Sequence, residues 1–63
     1  MTATELVWEA VSDGFYRSKG GRFELWYVHF SRAWLARDFG RGGRSEYGCL
    51  AEVKEWCERR ASQ

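Results

Sequence analysis

The sequence predicts an α+β fold in which a small antiparallel sheet of three to four strands packs on one C-terminal helix. The main observation is the run 22–39, the longest apolar stretch, which holds six of the eleven aromatic residues. Glycines punctuate both ends of this run, as they often do at strand boundaries. Residues 48–61 instead repeat their apolar positions with the period of a helix. Strands followed by one helix are typical of a two-layer α+β domain.

Residues 1–14 fit two structures. Thr2 and Glu5 have the spacing of a helix capping box, and the apolar residues between 6 and 11 lie on one helical stripe. A strand over 6–11 is the alternative, because Asp13-Gly14 is a strong hairpin turn when apolar residues flank it. The aromatic pair that follows the turn favours a strand, a turn and a second short strand.

The central run predicts a β-hairpin with strands over 23–30 and 33–39. Its aromatic and β-branched residues suit a pleated strand, and a polar break separates the two halves. A loop of two or four residues would set Val28 opposite Leu35 and Tyr27 opposite Ala36. A loop of three residues would instead exchange the two faces of the second strand, so the register stays open.

The helix is predicted over residues 48–61. One side of it carries Glu52, Glu55, Glu58 and Arg59 and the other side its apolar residues, as an amphipathic helix requires. The apolar stripe comprises Cys49, Leu50, Val53, Trp56, Cys57 and Ala61. Residues 40–45 contain three glycines and are predicted to form a flexible loop before the helix.

One helix can cover only one face of so small a sheet, although the central strand is apolar on both faces. We expect the helix to cover the face that carries Trp26, Val28, Phe30 and Leu35. Tyr and His tolerate a wet surface because they have polar edges, so the other face is expected to point outward. That face is the predicted partner-binding site, with Phe23, Leu25, Tyr27, His29 and Trp34.

Size and charge narrow the class of protein. The 63 residues predict one domain, 1–63, and so small a core rarely supplies more than about 3–5 kcal/mol, so a partner or a homo-oligomer would add stability. With a net charge of +1, the chain is not generally basic, as nucleic-acid-binding domains are. No apolar run reaches the roughly 20 residues of a membrane span. The first residues lack the basic segment of a signal peptide, so a cytoplasmic location is expected.

The chemistry-bearing residues predict no active site. His29, Cys49 and Cys57 are too few and too scattered for a zinc site, so no metal or other cofactor is expected. The cysteines would lie about 12 Å apart along a helix, which predicts two free thiols. Cys57, on the apolar stripe, is expected to have a raised pKa and to be unreactive. Nucleophile and phosphate-loop motifs are missing from the sequence, and we expect a protein that is not an enzyme.

The segment 39–44 resembles a single copy of an RNA-binding Arg-Gly-Gly box. Arginine binds phosphate in a bidentate manner, and Arg37, Arg41 and Arg44 are therefore the candidate nucleic-acid contacts. Binding of nucleic acid through this loop is the alternative function.

The order of elements resembles a known family. Trp8, the Asp13-Gly14 turn, the run 23–28 and the final helix have the outline of the three-strand-plus-helix domains that bind DNA at the N-terminus of phage tyrosine integrases. Many small proteins of phages and actinobacteria share this outline. The resemblance implies the same sheet-and-helix shape and a phage origin.

Together these features predict a small binding or regulatory protein. We expect it to act through protein–protein interaction on an aromatic sheet face, as a phage-encoded modulator of a host protein or as a homodimer.

Overall fold

The computed structural model describes residues 6–40 and 43–62, and it confirms the α+β fold class. The described chain forms β1 Trp8–Ser12, β2 Phe15–Ser18, β3 Phe23–Val28, β4 Ala33–Asp38, β5 Ser45–Gly48 and α1 Leu50–Ala61. Consecutive strands pair antiparallel, so the sheet is a meander with the order β1-β2-β3-β4-β5. The described sheet therefore has five strands, whereas three to four were predicted.

The N-terminal hairpin settles the choice between helix and strand in favour of a strand. β1 pairs with β2 around the Asp13-Gly14 turn, where Gly14 has a φ of +69° that favours glycine. A bulge between Ala10 and Ser12 shifts the register next to this turn. The predicted capping pair, Thr2 and Glu5, lies outside the described residues.

The β3–β4 hairpin has a four-residue loop and pairs Val28 with Ala33. The predicted pairing of Val28 with Leu35 is therefore wrong by two residues, a shift that leaves the faces of both strands unchanged. The shift arises because Phe30 belongs to the turn and not to the strand. Arg32 closes this turn with a φ of +54°, and its N–H donates to the carbonyl of His29 at 3.3 Å.

β5 lies between the predicted loop, 40–45, and the predicted helix, 48–61, and shares only its end residues, Ser45 and Gly48, with them. It pairs with β4 so that Tyr47 lies opposite Leu35. The N–H of Asp38 donates to the carbonyl of Arg44 at 2.8 Å, which extends the ladder beyond the strand. Backbone hydrogen bonds hold this edge strand, since three of its four residues are exposed.

Helix α1 begins two residues after the start of the predicted range and ends, as predicted, at Ala61. Cys49 is its N-cap, and the Cys49 N–H donates to Glu52 Oε1 at 3.3 Å. Glu52 in the first turn and the arginines of the last turn complement the partial charges of the helix ends. Within the described residues, no helix is long and apolar enough to cross a membrane.

Helix α1 covers the face of the sheet that carries Phe23, Leu25 and Ala36. These three side chains are at most 1% exposed and form the core together with Val53 and Cys57 of α1. Seven half-buried apolar residues surround this cluster, namely Leu6, Trp8, Tyr16, Trp34, Leu50, Trp56 and Ala61. The core thus lies between α1 and the covered face of β3 and β4.

The predicted orientation of the sheet is therefore wrong. The helix was expected to cover Trp26, Val28, Phe30 and Leu35. Trp26 is instead 39% exposed, and Phe30 lies fully exposed in a turn. The physical reason is charge, because Glu24 and Arg37 lie opposite each other on the face of Trp26. A helix packed over that face would remove the exposed Arg37 side chain from water, which costs free energy, whereas the Glu24 side chain is already only 14% exposed.

Asp38 is the charged residue that is fully buried on the covered face. Arg22 donates to its two oxygens at 3.1 and 3.2 Å, Arg60 of α1 donates at 2.7 Å, and the Gly40 N–H donates at 2.8 Å. Burial alone would raise the pKa of Asp38, but the hydrogen bonds from Arg22, Arg60 and Gly40 outweigh it and hold that pKa far below the usual range. This network joins the β2–β3 turn, the end of β4 and the C-terminal turn of α1.

The two cysteines are free thiols in different environments. Cys49 is exposed at the start of α1, whereas Cys57 is buried in the core. Burial, with a smaller contribution from Asp38, raises the pKa of Cys57 to about 12. Cys57 is therefore protonated at neutral pH and acts as a small apolar core residue, as predicted.

Candidate protein-binding surface

The side of the sheet opposite α1 is called the open face here. Among residues 6–40 and 43–62, the single helix lies on the other side, so no element covers the open face. Strand pairing arranges its side chains in rows that cross the sheet. The aromatic row contains Phe15, Trp26, Leu35 and Tyr47. The charged row contains Glu9, Arg17, Glu24, Arg37 and Ser45.

The aromatic row is a continuous apolar strip across four strands. Phe15 and Trp26 stack with their ring centroids 3.9 Å apart and their planes at 16°. Leu35 is half-buried between Trp26 and Tyr47, and Tyr47 is 56% exposed. Stacking on a cross-strand neighbour limits the motion of Trp26, so the strip presents rings that are largely in place before a partner binds.

The charged row alternates in sign from β1 to β4. Arg17 Nε lies 3.2 Å from Glu24 Oε2, and the guanidinium of Arg17 also lies 5.6 Å from the ring centroid of Phe15. Arg37 follows on the next strand, opposite Glu24. Exposed ion pairs add little to the stability of the fold. What this row offers to a partner is therefore the alternating order of its charges.

The arginines predicted to bind nucleic acid are distributed around one end of the open face. Arg37 lies in the charged row, with its guanidinium 5.3 Å from the ring centroid of Phe39, which is 51% exposed. Arg44 is exposed in the connection between β4 and β5, and Arg41 lies outside the described residues.

The predicted partner-binding residues do not form one exposed surface. Phe23 and Leu25 are buried beneath α1, so a partner cannot reach them in this fold. Tyr27, His29 and Trp34 do lie together, and Tyr27 makes edge-on ring contacts with His29 at 4.8 Å and with Trp34 at 5.4 Å. Tyr27 and Trp34 are half-buried on the covered face, and Trp34 packs against the core.

Sequence reasoning missed Phe15, Trp26 and Tyr47 as surface residues. A signal was present in the charges, because Glu24 has the strand parity of Trp26 and not of Phe23. Arg37 has the parity of Leu35 on the paired strand. A count of the charged residues on each face of the two strands would have predicted that the face of Trp26 is exposed. Tyr47 gave no such signal, since its short strand was not recognised.

The candidate metal ligands of the described residues are their His, Cys, Asp and Glu side chains. Within residues 6–40 and 43–62, no three His, Cys, Asp or Glu side chains are grouped so that they could hold a metal ion. The open face instead combines fixed rings with ordered charges, which suits recognition of another molecule. Comparison of the chain with protein-family models, with curated proteins and with solved structures finds no match in any of the three.

Proposed function

We propose that this chain is a small non-enzymatic protein that binds another protein through the open face of its sheet. The observation that carries the proposal is the exposed aromatic row beside a row of alternating charges. We further propose, from the resemblance in outline, that it is a phage-encoded modulator that acts in the cytoplasm.

The composition of the open face supports a protein partner. Tyr, Trp, Phe and Arg are enriched in protein interfaces and in their hot spots, and all four types occur in these two rows. An exposed apolar strip bordered by charges is typical of an interaction site. The two acidic side chains of the charged row would repel nucleic acid but can pair with arginine or lysine of a protein.

Affinity capture with matched variants tests this proposal. Trp26→Glu places a charge at the centre of the aromatic row, and it should weaken capture of a protein partner at least about tenfold because a buried unpaired charge is costly. Phe30→Glu is the control, since Phe30 is fully exposed in the β3–β4 turn. Circular dichroism should show both variants folded. Equal capture by Trp26→Glu and by the parent would contradict the proposal.

A second candidate function is binding of single-stranded nucleic acid. The observation in its favour is that Arg37 lies against the exposed ring of Phe39, close to Arg44 and to the aromatic row. Exposed rings can stack with bases while arginines contact the phosphates. Arg37→Ala and Arg44→Ala should each lower the salt dependence of binding by about one unit of slope. Fluorescence anisotropy that detects no binding to RNA or DNA at low salt would exclude this candidate.

A further inference from the structure

We propose that the partner on the open face is a second copy of this chain, in a two-fold symmetric face-to-face dimer. This inference rests on the proposed function, since it requires the open face to be a protein-binding surface. The two rows carry it. From β2 to β5, each row matches itself when the sheet is turned over about an axis that is parallel to the strands.

The aromatic row fixes where the axis lies. The row spans β2 to β5, so its midpoint lies between β3 and β4. A two-fold axis at this midpoint sets Trp26 against Leu35 of the second copy, and Phe15 against Tyr47 of the second copy. All four apolar residues of the row then meet an apolar residue, and both sheets align as in a β-sandwich.

The same axis sets opposite charges against each other. Glu24 and Arg37 lie on β3 and β4, the two strands beside the axis, so Glu24 of each copy faces Arg37 of the other. Arg17 faces the uncharged Ser45 of the second copy, because β2 and β5 are equally far from the axis. No like charges are opposed. An isologous interface needs such self-complementarity, and an unrelated partner would have to supply it separately.

The surface is small for a specific interface. Four strands, β2 to β5, face each other in this arrangement, and strands about 4.8 Å apart and four to six residues long give a contact of roughly 15 Å by 15 Å on each copy. The dimer should therefore dissociate on dilution, and its assembly should depend on protein concentration.

Two charge-reversal variants and their mixture test the proposed axis. Glu24→Arg sets two arginines against each other across the interface, and Arg37→Glu sets two glutamates against each other. Each variant alone should self-associate at least about tenfold more weakly than the parent. In an equimolar mixture, the new arginine at position 24 of one chain faces the new glutamate at position 37 of the other chain. Mixed dimers should therefore form. The repulsion inside each monomer is unchanged by mixing, so recovery reports only contacts between copies.

Sedimentation equilibrium over a concentration series measures the association, and circular dichroism checks folding. Glu55→Arg is the control, because Glu55 is exposed on α1, away from the open face, and this variant should dimerise like the parent. Should either charge reversal lose its fold, Tyr47→Asp on the exposed edge strand replaces it and should also abolish self-association. A parent that stays monomeric, folded single variants that dimerise like the parent, or a folded mixture that does not recover would each overturn the proposal.

The capture experiment separates this inference from the proposed function. Suppose that the parent is monomeric, that Trp26→Glu no longer captures its protein partner and that Phe30→Glu still does. This result would overturn the dimer but would support the binding function. A monomeric parent that captures the same protein with and without Trp26→Glu would reject both.

Discussion

Asp38 links the sheet to α1 through a hydrogen bond from Arg60. Its carboxylate is fully buried. It accepts hydrogen bonds from Arg22, in the β2–β3 turn, and from Arg60, in the helix. The side chains of Arg22 and Arg60 are partly exposed, at 33% and 21%, so each keeps some contact with water. This arrangement lowers the cost of the buried charge while it joins three separate parts of the chain.

Asp38→Asn should lower the free energy of unfolding by about 3 kcal/mol. This is the lower end of the range for breaking a buried ion pair, because the arginines retain part of their hydration. Urea denaturation monitored by tryptophan fluorescence measures the change. Glu55→Gln is the control, since Glu55 and Arg59 are exposed and 3.7 Å apart. The control should change stability by less than about 0.5 kcal/mol, and an equally small effect of Asp38→Asn would show that the network does not stabilise the fold.

The contribution of Asp38 should depend on pH in one direction. Its pKa is lower in the folded state than the unfolded value of about 3.9, so the folded state binds fewer protons at this site. The stabilisation is complete above the unfolded pKa and is lost as the pH falls below it toward the folded pKa. The difference in unfolding free energy between the parent and Asp38→Asn should therefore be constant from pH 7 to about pH 5 and shrink below about pH 4. A difference that grows on acidification would contradict this assignment.

At the scale of elements, the β1–β2 hairpin depends on Gly14. Its φ is +69°, and a Cβ built there would lie 3.2 Å from the Cβ of Tyr27. The carbonyl of Gly14 also accepts the Tyr27 N–H at 2.8 Å, so the turn is tied to β3 and cannot easily move away. A side chain at this position would therefore meet both backbone strain and a close contact.

Gly14→Ala should destabilise the protein more than Gly43→Ala. Gly43 has a similar φ of +62°, but no described heavy atom lies within 4 Å of its Cβ position. Gly43→Ala should lower the free energy of unfolding by about 1–2 kcal/mol because of its left-handed backbone alone. Gly14→Ala should lower it further because of the close contact with Tyr27. Thermal and urea denaturation of both variants measure the difference. Equal losses would show that the turn can shift away from Tyr27.

The elements with strong local patterns were predictable from the sequence. β1 followed from the Asp13-Gly14 turn, β3 and β4 from the aromatic run, and α1 from its apolar stripe. β5 was not predictable by the same means, because Ser45–Gly48 has one large apolar residue and no alternation. Its strand forms because β4 offers an unpaired edge, and a local pattern does not contain that information.

At the scale of the whole molecule, the main uncertainty in the sequence was which sheet face is the core. Rings and aliphatic residues occur on both parities of β3, so apolar content alone could not decide. In the structure, the side chains on the face of Phe23 are buried, and those on the face of Glu24 point away from the core. The expectation that Phe23 and Leu25 are exposed was wrong for this reason, since it followed from the same choice of face.

A pair of phenylalanine variants tests which face is the core. Phe23→Ala should cost about 3–5 kcal/mol, the usual loss for a buried ring, which would leave the domain largely unfolded. Phe30→Ala makes the same chemical change at a fully exposed ring and should stay within about 0.5 kcal/mol of the parent. Circular dichroism and denaturation measure both. A folded and stable Phe23→Ala protein would mean that α1 does not cover this face.

The strand order has a consequence for how the chain folds during its synthesis. Every strand pairs with the next one in the chain, so the hairpins can close as soon as each pair is complete. α1 follows all five strands and supplies Val53 and Cys57 to the core, as well as Arg60 to Asp38. A growing chain therefore exposes Phe23 and Leu25 until α1 emerges, and a ribosome that stalls just before α1 leaves a sheet with exposed apolar residues on both faces.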